Sequence, residues 1–131
     1  GWNIVKQLCE EIDSHRLPYR VTVIGAMVPN FSADCMNVTG RYERTALASA
    51  IEQSNANIFL FPSIWPETFS YVAHELMACG VPLCCFNLGA PAEAVANYSN
   101  GLILGDATSP SRLLAQMEDF RAQLFSRREG E

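Results

Sequence analysis

Two short, almost wholly apolar runs constrain this chain most: Asn57–Phe61 (NIFLF) and Val81–Phe86 (VPLCCF). Uninterrupted apolar runs of strand length are expected where a strand is buried on both faces, as in a parallel sheet. Such strands need helices above and below, and the intervening sequence supplies them. Residues 2–15 predict a helix, with Trp2, Ile4, Val5, Leu8, Cys9 and Ile12 at helical spacing and Pro18 closing it. Residues 19–25 (YRVTVIG) are rich in β-branched side chains, end at glycine and predict a strand. Pro29, Asn30, Ser32 and Asp34 make 26–36 a loop, the one long connection and therefore a functional candidate. A short strand is expected over 36–38, ending at Gly40, then a helix over 43–54. Further helices are expected over 68–79, stopped by Gly80, over 90–97, and over 109–127 with a frayed polar end (SRREGE). A short strand precedes the last of these, at 101–104. Strands alternating with helices over short links imply an α/β fold with a parallel sheet covered on both sides.

Composition narrows the function. The extended form of 131 residues exposes roughly 21,000 Å² and the folded form roughly 6,900 Å², enough burial for one compact domain. Apolar residues at 49% against 18% charged exclude disorder. No apolar run approaches the length of a membrane span, and no basic-then-apolar leader opens the chain. A net charge of −5, with Lys6 the one lysine, argues against nucleic acid and anionic membrane surfaces as partners. Cysteines at 9, 35, 79, 84 and 85 are odd in number and fit no zinc or disulfide spacing. Cys84 and Cys85 read as small buried hydrophobes. A reducing, cytoplasmic compartment is expected.

Ligands in such sheets sit outside the carboxyl ends of the strands. Those ends are Gly25, Gly40, Phe61–Glu67 and Phe86–Ala90. The stretch 62–82 (PSIWPETFSYVAHELMACGVP) carries Glu67 and Glu75 with seven residues between them. At helical rise their backbones stand roughly 12 Å apart. That is too far for the acid and nucleophile of a glycosidase but fits the two ends of an elongated ligand. Between them the N–H groups of Phe69, Ser70 and Tyr71 open a helix and can hold a phosphate. Positions 69, 72, 73, 76 and 80 form the core face; Thr68, Tyr71 and Glu75 share the other. Spacing alone equally allows Glu67 to favour the helix dipole and Glu75 to be a solvated surface acid. His15 and His74 have no metal-ligand partners at suitable spacing. Ser63 and Ser70 lack a G-x-S-x-G elbow, and no P-loop or G-x-G-x-x-G is present.

The order of these features resembles the C-terminal, donor-binding domain of retaining GT-B glycosyltransferases, family 4 in particular. It comprises an apolar strand, Pro62-Ser63, Glu67 to Glu75, Ala78-Cys79-Gly80-Val81-Pro82, Gly89 and Glu93. Weaker likeness extends over VTVIG at 21–25, VTGRY at 38–42 and Gly101–Leu104. The resemblance implies a Rossmann-like three-layer α/β/α domain with a mainly parallel sheet, the C-terminal half of a GT-B fold. It implies a nucleotide-diphosphate sugar as donor, in cell-surface polysaccharide synthesis. Glu67 then lies near the donor sugar as the catalytic residue, contacting hydroxyls or stabilising transition-state charge. Glu75 binds ribose, the N–H groups of Phe69 and Ser70 bind diphosphate, and Thr68 and Tyr71 flank them. Arg41 and Tyr42 line the base, and Gly25 is a further donor-binding residue. No metal or other cofactor is implied. The family usually has glycines where Thr68 and Ser70 stand, so the pocket is narrower or hydroxyls replace N–H contacts.

The start at Gly1 suggests an excised piece or a tag remnant. The resemblance places a diphosphate-neutralising Arg and Lys just before it, and an N-terminal acceptor domain before those. Weak donor binding and no transfer are expected of these residues alone, with any peripheral membrane association coming through the absent domain. Two other readings stay open: another GT-B enzyme, such as a sugar-nucleotide epimerase or a phosphorylase, and a non-catalytic Rossmann-like or flavodoxin-like module.

Overall fold

The computed structural model describes residues 2–25, 31–40, 43–62, 71–87, 89–105 and 109–130. In chain order these form α1 (Trp2–Ser14), β1 (Val21–Val23), β2 (Met36–Val38), a 3-10 turn (Arg44–Ala46) leading into α2 (Leu47–Gln53), and β3 (Phe59–Phe61). Then come α3 (Tyr71–Ala78), β4 (Leu83–Phe86), α4 (Gly89–Ala96), β5 (Gly101–Leu104) and α5 (Pro110–Gly130). All pairing within sheets is parallel: β1 with β2, and β3-β4-β5 in that order. With a helix between each pair of successive strands from β2 to β5, this is the α/β, Rossmann-like arrangement expected. The chain divides into two compact units, Gly1–Ala56 and Asn57–Glu131.

In the first unit, α1 buries Ile4, Val5, Leu8, Cys9 and Ile12, the stripe its periodicity marks out. The strand expected over 19–25 forms its parallel ladder only at Val21–Val23. Its first residue is drawn into the turn after α1, where the Tyr19 N–H bonds the Leu17 carbonyl at 2.9 Å. The helix expected from 43 starts late: the Ala46 N–H bonds Glu43 at 2.8 Å, a 3-10 contact, and no side chain caps α2. Asp13 fastens α1 to the approach of β2. One carboxylate oxygen accepts the Asp34 N–H at 3.1 Å and the other accepts the Cys35 N–H at 3.2 Å.

The second unit is built on β4. All four of its residues, Leu83, Cys84, Cys85 and Phe86, are buried between β3 and β5. Burial pushes the Cys84 thiol up to about 12, so it stays neutral, as a small hydrophobe must. Gly101 begins β5 where no side chain fits: a Cβ there would stand 2.6 Å from the Val95 carbonyl oxygen and 2.7 Å from a Val95 methyl. The Tyr98 hydroxyl donates to the Val81 carbonyl at 2.7 Å and the Asn100 amide to the Gly80 carbonyl at 3.1 Å. Both bonds tie the segment entering β5 to the turn entering β4. Ser109 and Pro110 start α5; the Arg112 N–H reaches the Ser109 hydroxyl at 3.4 Å. The end expected to fray is helical to Gly130, in keeping with its run of Arg and Glu.

Candidate functional site

Parallel pairing sends Phe61, Phe86 and Leu104 to one edge of the three-stranded sheet, the carboxyl edge. This is the edge at which such sheets bind ligands. Two residues separate this edge of β4 from α4, and five separate that of β5 from α5. Helices entered from this edge present free N–H groups and the positive end of their dipole, which suits an anion.

The helix carrying the acidic pair is α3. Its core face is Ala73 and Leu76, both buried, with Val72 half-buried, as the spacing predicts. Glu75 stands one turn in from Tyr71 and is half-buried, while His74, Ala78 and Cys79 are exposed. Glu75 thus lies at the border between the packed and open faces of α3, a placement between a core residue and a freely solvated acid. Tyr71 opens α3, and its side chain lies outside the described residues. Glu67, Thr68, Phe69 and Ser70 also lie outside them, as do Arg41 and Tyr42.

One further edge contact was not readable from spacing. Gln116 of α5 accepts the Gly105 N–H through its side-chain oxygen at 3.0 Å and donates to the Gly105 carbonyl at 3.3 Å. This amide acts as a one-residue strand and fixes the direction in which the chain leaves β5.

In the first unit, Gly25 follows β1 and Gly40 follows β2. They form an antiparallel bridge in which the Gly40 N–H bonds the Gly25 carbonyl at 3.0 Å. Both take positive φ, 124° and 87°, which a side chain would resist. Thr39 locks the pair: its hydroxyl accepts the Gly25 N–H at 3.0 Å and donates to the Gly40 carbonyl at 3.3 Å. Gly25 is therefore placed at a carboxyl end, as expected, and Thr39 is the residue that reading missed.

Among the described residues no three His, Cys, Asp or Glu side chains are grouped to hold a metal ion. No described helix is long and apolar enough to cross a membrane. Of the five cysteines, Cys79 is exposed and the other four are buried.

Comparison with known proteins adds to this geometry. The family model described as glycosyl transferases group 1 matches residues 6–123. Spore coat protein SA of Bacillus subtilis (strain 168) is 30% identical over 84 residues, covering 58% of this chain and 22% of that protein. The chain thus spans about a fifth of the length of that relative. No solved structure matches.

Proposed function

Since the chain belongs to the glycosyl transferases group 1 family, we propose that it is the donor-binding domain of a retaining GT-B enzyme. The enzyme moves a sugar, of hexose type, from a nucleoside-diphosphate sugar to an acceptor. The observation that carries this reading is the family match from residue 6 to 123, which takes in the whole Glu67-to-Glu75 stretch. The half-buried position of Glu75 on α3 supports it. Glu75 binds the ribose hydroxyls. The N–H groups of Phe69 and Ser70, at the approach to α3, bind diphosphate. Glu67 lies against the donor sugar and stabilises charge that develops as the leaving diphosphate departs. Helix N-termini and basic side chains carry the diphosphate charge, so the reaction runs without a metal.

The relative's printed name places it in a spore coat. A role in building surface carbohydrate is consistent with that and with the Thr68-Phe69-Ser70-Tyr71 sequence. Ligand-observed NMR with UDP, GDP, dTDP and ADP tests donor binding. One nucleotide is expected to receive saturation, and to lose it in Glu75→Ala. Equal transfer to the variant overturns the role of Glu75. Silence from all four, with the complete enzyme inactive on every nucleotide sugar, overturns the donor reading. Strict dependence of transfer on Mg²⁺ or Mn²⁺ overturns the metal-free mechanism.

A further inference from the structure

Two cysteines far apart in sequence meet in the core of the first unit. Cys9 lies on α1 with no exposed surface, and Cys35, just before β2, is 7% exposed. The Cys35 thiol donates to the Cys9 carbonyl at 3.7 Å, which sets its sulfur against the backbone of Cys9. Asp13, one turn along α1 from Cys9, holds the Cys35 N–H at 3.2 Å and fixes the backbone of Cys35 against the helix. The neighbours Cys84 and Cys85 differ. Successive residues of a strand face opposite ways, so these two cannot bond to one another.

We propose that Cys9 and Cys35 form an oxidation site, a dithiol that hydrogen peroxide converts to an intramolecular disulfide tying α1 to the turn before β2. The sulfur of Cys9 loses its proton and attacks a peroxide oxygen. The O–O bond breaks, and the departing hydroxide takes up that proton as water. Cys9 is now a sulfenic acid. The Cys35 sulfur attacks the Cys9 sulfur; the S–S bond forms, the S–O bond breaks, and hydroxide leaves with the Cys35 proton as a second water. The two thiols give up two electrons and one peroxide becomes two waters. Reaching the S–S length of about 2.05 Å takes rotation of both side chains.

The pair reacts slowly. Burial and the negative charges of Asp13 and Glu10 oppose the Cys9 thiolate, and burial and the bond to Asp13 hold the Cys35 thiol up at about 12. This is a response to sustained, millimolar peroxide and not a fast sensor. The bond closes a loop between residues 26 apart. It is expected to raise Tm by roughly 5–10 °C.

The test treats the whole chain with peroxide and maps thiols by differential alkylation and peptide mass spectrometry. A linked Cys9–Cys35 peptide within the monomer is expected, reversed by dithiothreitol, with Cys84 and Cys85 recovered as thiols. The link persists in Cys79→Ser and is lost in Cys35→Ser. Recovery of Cys9 and Cys35 as separate thiols or separate sulfinic acids, or links formed only through Cys79 between molecules, overturns the proposal. The mapping on the unaltered chain decides even where Cys35→Ser fails to fold.

Discussion

In the second unit every residue of β4 is buried, whereas in the first unit β1 and β2 are only partly covered and Val38 is 37% exposed. The two units are accordingly held in different ways. Asn57–Glu131 relies on close packing: an apolar central strand, and Gly101 at a point where even a methyl has no room. Gly1–Ala56 has less apolar surface to hide in its strands and uses polar fastenings. Asp13 bonds two backbone N–H groups, and Thr39 bonds two backbone groups across the glycine bridge. A short parallel ladder thus needs either full burial or side-chain bonds that replace it.

The largest effect expected from this contrast is at Gly101. Gly101→Ala forces apart β5 and the end of α4 and should cost about 3 kcal/mol, read as a lower urea midpoint. Gly40→Ala meets nothing within 4 Å and strains only the backbone, for about 1 kcal/mol. Equal costs would show that space at Gly101 is not what matters. Next is Asp13→Ala, which strips two N–H groups of their carboxylate. It should cost about 2 kcal/mol, with Asp13→Asn, which keeps one acceptor oxygen, costing less. If both variants unfold like the parent, the polar fastening of the first unit is not what holds it.

These effects also mark what sequence could reveal. NIFLF and VPLCCF announced β3 and β4 because burial on both faces leaves an uninterrupted apolar run, and the α1 stripe announced itself by period. The role of Asp13 leaves no local signal in the sequence, because its partners sit 21 and 22 residues away. The Gln116–Gly105 bonds, the Thr39–Gly25 bond and the Cys9–Cys35 contact were hidden for the same reason: spacing reports local neighbours, and these bonds join distant ones. At the site, the place of Glu75 on α3 follows from helical spacing alone. Glu67 to Ser70 and Arg41–Tyr42 rest on motif order, since they lie outside the described residues.

Alkaline pH compares the units through their buried thiols. Cys35 in the first unit and Cys84 in the second are each pushed up to about 12 by burial, from the ordinary thiol value of 9.0. A raised thiol favours the fold below its unfolded pKa, and that advantage drains away as pH climbs from about 9 toward 12. Each group should cost about 1 kcal/mol of stability by pH 10. Guanidinium melts at pH 8 and pH 10 check this. Cys35→Ala and Cys84→Ala should each flatten the fall by similar amounts. A fall unchanged in both variants would assign it to other groups.

The smallest effect has the opposite sign and concerns how helices end. Both α1 and α3 close with the same pair of bonds. After α1, the Leu17 N–H reaches the Ile12 carbonyl at 2.9 Å and the Arg16 N–H reaches Asp13 at 3.3 Å. After α3, the Val81 N–H reaches Leu76 at 3.4 Å and the Gly80 N–H reaches Met77 at 3.0 Å. This turn needs one left-handed residue, supplied by Gly80 at φ 75° in one unit and by Arg16 at φ 51° in the other. A side chain there costs about 1–2 kcal/mol, whereas glycine in its place adds about 0.5–1 kcal/mol of unfolded-chain entropy. Arg16→Gly should therefore stabilise the chain by about 0.5 kcal/mol, and Gly80→Arg should destabilise it by about the same or more. Paired thermal melts measure both. A loss of stability in Arg16→Gly would mean that the exposed arginine makes contacts worth more than the strain it imposes.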